Sequence, residues 1–258
     1  MSVLALDTIW IPVLLAVAAF AAGVLNAIAG GGSFLTFPAL VLAGIPPIVA
    51  NATSALAVSP GYLGSTLGFK AELAQLPRQR LRRETLVAAV GGVAGALLLL
   101  VTPAHVFRGL IPWLLLFATA LFVLGPWLAS RRPITDGQAH PSARWRGPGL
   151  AGVAVYGGYF NGGLGILLMA LYTVTGEKNL HTTNALKNLN SLVLSILSVI
   201  TFAVAGAIAW GPAILMMVAA TAGGYAGAHW SKRLPIAWVR GVVIITGLVM
   251  SALFFWRG

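Results

Sequence analysis

The sequence predicts an all-α integral membrane protein of about ten membrane segments, some short or broken, arranged as two inverted five-segment repeats. Three observations predict it. The 258 residues have a mean hydropathy of +0.92, 8% charged residues and several apolar runs of membrane-spanning length, a composition no ordinary soluble globule carries. Landmarks in the first half recur in order in the second. The cations gather in short connections, as they do on the cytoplasmic face of a membrane.

Glycine, proline and charge mark off the elements in order. The first unit, 1–130, holds apolar segments at 9–26, 33–44, 48–69, 84–101 and 109–129. No Lys or Arg precedes the first of these, so it reads as a retained helix and not as a cleavable signal peptide. A basic, proline-bearing stretch, "SRRPITDGQAHPSARWRG", reads as a cytoplasmic linker over 131–148. The second unit, 149–258, holds segments at 149–160, 164–175, 181–204, 211–230 and 238–256.

The repeat rests on four landmarks. Asn26 and Asn161, each before a glycine-rich break, differ by 135, and Asn51 and Asn184 differ by 133. Gly91-Gly92-x-Ala94-Gly95-Ala96 recurs at Gly223-Gly224-x-Ala226-Gly227-Ala228, and Pro103-x4-Arg108-Gly109 at Pro235-x4-Arg240-Gly241, both displaced by 132. Matched offsets in one order signal duplication. Loop charge then sets the orientation. If all ten segments cross, one side receives 13 of the cations and the other only Arg108 and Arg257, whereas re-entrant short segments would give 10 and 5. The positive-inside rule favours crossing. Five crossings per unit invert the second copy and leave both termini outside.

The short segments explain the glycines before them. Twelve helical residues reach about 18 Å against a hydrocarbon core of about 30 Å. "NAIAGGGSF" and "FNGGLG" supply extended backbone there, which is tolerated at membrane depth only when buried or lining a wet cavity. A helix starting after such a break aims free N–H groups and its positive dipole end at an anion. This marks Asn26, Gly31, Gly32, Ser33, Asn161, Gly162 and Gly163 as candidate site residues. The glycines inside continuous runs, around 91–95 and 223–227, read instead as close helix packing.

The other candidates lie on one helical face. Asn184, Lys187, Asn188 and Ser191 follow i, i+3, i+4, i+7 spacing, and the matching first-unit stretch supplies Asn51, Thr53 and Ser54. A lysine at mid-bilayer costs about 2.5–3.5 kcal/mol on insertion scales, so it marks a functional cavity unless its stem snorkels to the surface. Together these residues predict a small-anion site, polar from both units and charged from one.

The stretches "SFLTFPALVLAGIPPIVANATSAL" and "GYFNGGLGILLMALYTVTGEKNLHTTNALKNL" resemble the sulfite exporter (TauE/SafE-type) permease family across nearly the whole chain. The resemblance implies a duplicated membrane fold that moves sulfite, organosulfonates or related sulfur-containing anions across the bacterial inner membrane. Asn51, where the family often carries glycine before Thr-Ser, and the short linker are departures that leave the anion open.

Other classes fit less well. The five acids lie in loops or at segment edges, the four histidines are scattered and cysteine is absent, so no constellation for catalysis, metal or cofactor chemistry presents itself. With no buried carboxylate expected for a proton relay, the reading is a secondary carrier, an exporter working by alternating access. A channel or a non-catalytic assembly partner is the alternative. Its partners are a small anion and the bilayer, with no nucleic acid despite the net charge of +11; a homo-oligomer stays open.

Overall fold

The computed structural model describes residues 3–28, 31–130, 144–230 and 236–257. Among these every regular element is a helix: α1 Val3–Ile28, α2 Ser33–Leu42, α3 Pro47–Gly68, α4 Lys70–Ala74, α5 Arg78–Val101, α6 Ala104–Ser130, α7 Arg146–Tyr159, α8 Leu164–Val174, α9 Leu180–Val204, α10 Trp210–Trp230 and α11 Ile236–Arg257. Four stretches are long and apolar enough to cross a membrane, namely Trp10–Ala27, Arg78–Val101, Ala104–Leu124 and Leu180–Val204, beside shorter apolar helices that include α2 and α8. Most of the linker and residues 29–30 of the first break lie outside the described residues.

Several helices begin earlier than their apolar runs. Pro77 and Pro103 end the preceding turns, and α5 and α6 start directly after them, at Arg78 and Ala104. Hydropathy marks where lipid contact begins, whereas backbone hydrogen bonding carries the helix on through a charged interfacial turn. The five-residue α4, with no buried residue, has no hydropathy signal and was absent from the sequence reading.

The short helices are built alike. Gly31 and Gly163 precede them with φ of 97° and 77°, in the left-handed region that glycine adopts without penalty. Gly44 and Gly176 end them with φ of 82° and 92°, and the closing bonds Ile45 N–H to the Leu40 carbonyl and Glu177 N–H to the Tyr172 carbonyl are the same Schellman-type closure. Both glycine pairs are 132 residues apart. The same displacement separates the Gly-Gly-x-Ala-Gly-Ala and Pro-x4-Arg-Gly landmarks of the sequence.

The packing has a matching regularity. α1 packs on α10 and α5 on α7; α3 meets both α9 and α10 while α9 meets α5; α6 lies against α8 and α11, and α2 against α11. Exchanging α1, α2, α3, α5 and α6 for α7, α8, α9, α10 and α11 turns α3–α9 and α6–α11 into themselves and each of the other pairings into another of the set. The α1–α10 and α5–α7 crossings are glycine contacts: a Cβ on Gly223 would collide with the Phe20 carbonyl, and one on Gly95 with the Val155 carbonyl. The glycines inside α5 and α10 therefore serve close approach. The outer surface is apolar, with Val101, Val204 and Trp256 at 74%, 85% and 86% exposure. Hydroxyls and amides such as Thr53, Asn190 and Ser191 are buried instead, the arrangement a bilayer solvent selects.

Candidate functional site

The two glycine breaks come together at the middle of the bundle. The Phe34 ring lies 3.4 Å from where a Cβ on Gly31 would sit and 3.6 Å from that position on Gly163, and Ile166 reaches to 3.7 Å of the first. One aromatic side chain thus touches both. Gly32 is held so close to the Ala22 carbonyl that a Cβ would stand 2.8 Å from it, and Ser33 is buried in the first turn of α2. Gly162 keeps its carbonyl occupied by the Tyr156 hydroxyl, at 2.8 Å.

The polar candidates divide into residues with partners and residues without. Asn51 donates through Nδ2 to the Tyr159 carbonyl, 3.1 Å away, and so fixes the end of α7 just before the second break. Thr53 accepts from the Ala209 N–H at 3.0 Å and ties α3 to the turn before α10. Ser54 shares a hydrogen bond of 2.6 Å with Thr36. Asn184 donates back to the Leu180 carbonyl in its own helix, on an exposed edge. These four groups are structurally employed, and a ligand would have to displace existing bonds to reach them.

The rest are unengaged. Asn161 is buried in the break with neither amide atom partnered, and the Ser191 hydroxyl is buried without a partner. Such groups cost about 1–3 kcal/mol each when left unmatched, a cost that a ligand bonded to either would offset. Asn26, its counterpart in α1, is half-buried with Nδ2 3.1 Å from the Cβ position of Gly61 on α3. Asn188 is buried beside Lys187 on α9. Lys187 itself is half-buried, without an ion pair or hydrogen bond among the described residues, and its Cδ lies 3.8 Å from the Cβ position of Gly165 in the first turn of α8. Repulsion between an ammonium and a helix N-terminus is relieved when an anion sits between them.

One expectation is overturned. Glu84 is not at a segment edge but inside α5 and 7% exposed, so the protein does hold a buried carboxylate. Arg80 Nε donates to its Oε1 at 3.0 Å and the Tyr172 hydroxyl to its Oε2 at 2.8 Å. Asn190 donates to that same hydroxyl at 2.7 Å. Arg80 also reaches Glu177 at 2.7 Å, and Arg146 donates to the Thr175 hydroxyl and carbonyl at 3.1 and 2.9 Å. The network joins α5, α7, α8, α9 and the α8–α9 turn. The sequence reading missed it because Arg80, four residues before Glu84, was assigned to a loop; placed on one helix, that spacing is an ion-pair signal.

Against known proteins, the model of the family "Sulfite exporter TauE/SafE" matches residues 15–254. The chain belongs to the sulfite exporter TauE/SafE family. It is 30% identical over 251 residues to "Probable membrane transporter protein YfcA" of Escherichia coli (strain K12), covering 93% of this chain and 89% of that one. It is 27% identical over 239 residues to "Probable membrane transporter protein ORF9" of Sinorhizobium sp, covering 91% and 88%. A "Probable membrane transporter protein" of Haemophilus influenzae is 28% identical over 235 residues, with 90% of each chain covered. No solved structure matches the chain. Family membership and the apolar helices together make this TauE/SafE protein a multi-pass membrane transporter.

Proposed function

We propose that the protein is a secondary carrier that exports small sulfur-containing anions, sulfite or organosulfonates, across the bacterial inner membrane. Two inverted copies of the five-segment unit would rock about a shared mid-membrane site, with both termini outside. The single observation that carries this reading is Lys187, unpaired and set against the first turn of α8. The amide of Asn161, in the break that leads into α8, and the hydroxyl of Ser191, one turn along α9 from Lys187, are unpartnered as well. An anion there gains a countercharge, the α8 N-terminus and neutral donors at once, a combination typical of binding sites at broken transporter helices. Asn26, Asn188, Ser33 and the breaks at Gly31, Gly32, Gly162 and Gly163 complete the pocket, while Asn51, Thr53 and Ser54 hold its walls.

An interior-negative potential drives an anion outward by about 2.3 kcal/mol per charge per 100 mV, which supports export. Glu84 is buried, but its engagement by Arg80 and Tyr172 supports a bracing role over a proton relay. The test is flux of sulfite and of an organosulfonate from loaded proteoliposomes. Wild type should show saturable efflux accelerated by substrate on the opposite side, as carriers do and channels do not. Lys187→Met should fold and lose the efflux; retained efflux would refute the assignment.

A further inference from the structure

We infer that the molecule carries a second anion site, at the end of the bundle where α5 and α7 begin, shaped for the phosphate of an anionic phospholipid headgroup. A cavity of about 480 Å³ opens there between Arg80, Arg83, Arg144, Arg146, Gln79 and Glu84. Four guanidinium groups face one carboxylate. That carboxylate is already satisfied by Arg80 and Tyr172, and Glu177 by Arg80 and, at 4.0 Å, Arg146. Arg83 and Arg144 are exposed and have no carboxylate partner among the described residues. The Arg144 guanidinium lies over the ring of its neighbour Trp145, 5.7 Å from the centroid.

The fold does not require these cations. α10 packs on α1 as α5 packs on α7, and 132 residues beyond Arg80 and Arg83 stand Pro212 and Leu215, while 135 residues before Arg144 and Arg146 stand Ile9 and Ile11. The equivalent positions carry no cation. What the arginines add is a concave, electropositive recess at the level where the α5 membrane span starts, at Arg78. Trp145 is exposed next to it, at 59%, as amphipathic rings are at headgroup depth. Guanidinium forks match phosphate oxygens in pairs, and basic recesses between membrane helices hold lipid phosphates. A scattered topogenic charge would make no cavity.

The experiment is thermal unfolding of the purified full-length protein in detergent, with short-chain phosphatidylglycerol, short-chain phosphatidylcholine or inorganic phosphate added. Saturating phosphatidylglycerol should raise the Tm of wild type by about 5 °C, and phosphatidylcholine by less than about 1 °C. Arg83→Gln with Arg144→Gln should abolish the rise while leaving the unliganded Tm and monodispersity near wild type, because neither guanidinium pairs within the described chain. Lys187→Gln should keep it, which separates this site from the transport site. If inorganic phosphate reproduces the rise and the double variant loses it, the site stands and its occupant is a soluble oxyanion. An equal rise in wild type and double variant, or no rise with either anion, overturns the proposal.

Discussion

In the first unit a hydroxyl pair closes on itself: Thr36 on α2 and Ser54 on α3, 2.6 Å apart. At the equivalent places in the second unit stand Leu168 on α8 and Lys187 on α9, and the ammonium has no partner among the described residues. The backbones match, down to left-handed glycines at the start and end of each short helix. A second pair of regions repeats the contrast. Glu84, Tyr172 and Asn190 form a buried polar chain, and their counterparts, Met216 and Leu40 at a displacement of 132 and Ala57 at 133, are all fully buried and apolar. The two stretches share a backbone frame and differ in which satisfies its polar groups internally and which leaves a charge. Under the proposed function, that single lysine would serve one anion instead of two.

The comparison breaks most sharply at Lys187. Changing it to Ser, the residue its counterpart slot carries, should cut sulfite flux in proteoliposomes by about 100-fold, the order expected for removing a desolvated charge from a charged ligand. Ser54→Ala should leave flux within a few-fold of wild type. Next comes the polar chain. Glu84→Ala should destabilise the protein by about 3 kcal/mol, since Arg80 loses one of its two carboxylates in a buried setting; Met216→Leu, at the matching place, should cost less than about 1.5 kcal/mol. Thermal unfolding in detergent reads both, and equal losses would show that the two ends are held alike.

The hydroxyl pair sharpens the contrast further. Ser54→Ala alone should cost about 1–2 kcal/mol by stranding the Thr36 hydroxyl, whereas adding Thr36→Val should recover most of that loss. The smallest effect belongs to Tyr172→Phe, about 1 kcal/mol, because Glu84 keeps Arg80 and Asn190 keeps the Leu186 carbonyl. A double-mutant cycle with Asn190→Ala measures their coupling.

How far the sequence was legible follows from the range of each signal. The breaks, the short helices and the polar face of α9 are local patterns of glycine and spacing, and each is present where that pattern put it. Family membership was readable because it spreads over nearly the whole chain. What a side chain meets is not local. Asn51 and Thr53 look like ligands in sequence, yet their partners are a carbonyl and an N–H 108 and 156 residues away. Glu84 looked like an edge residue because hydropathy starts there, while its partners Tyr172 and Glu177-bound Arg80 depend on a turn nearly 90 residues on. Lys187 was recognisable because it is the lone Lys, Arg, Asp or Glu in the whole of α9, a local signal that the sequence displays.

The most direct measurement is sulfite binding by the purified protein, followed as a concentration-dependent rise in Tm for wild type and Lys187→Met side by side. A saturable rise in wild type that vanishes in the variant, with the unliganded Tm of the two within a few degrees, is the predicted result. The same rise in both proteins would contradict a site built around this lysine.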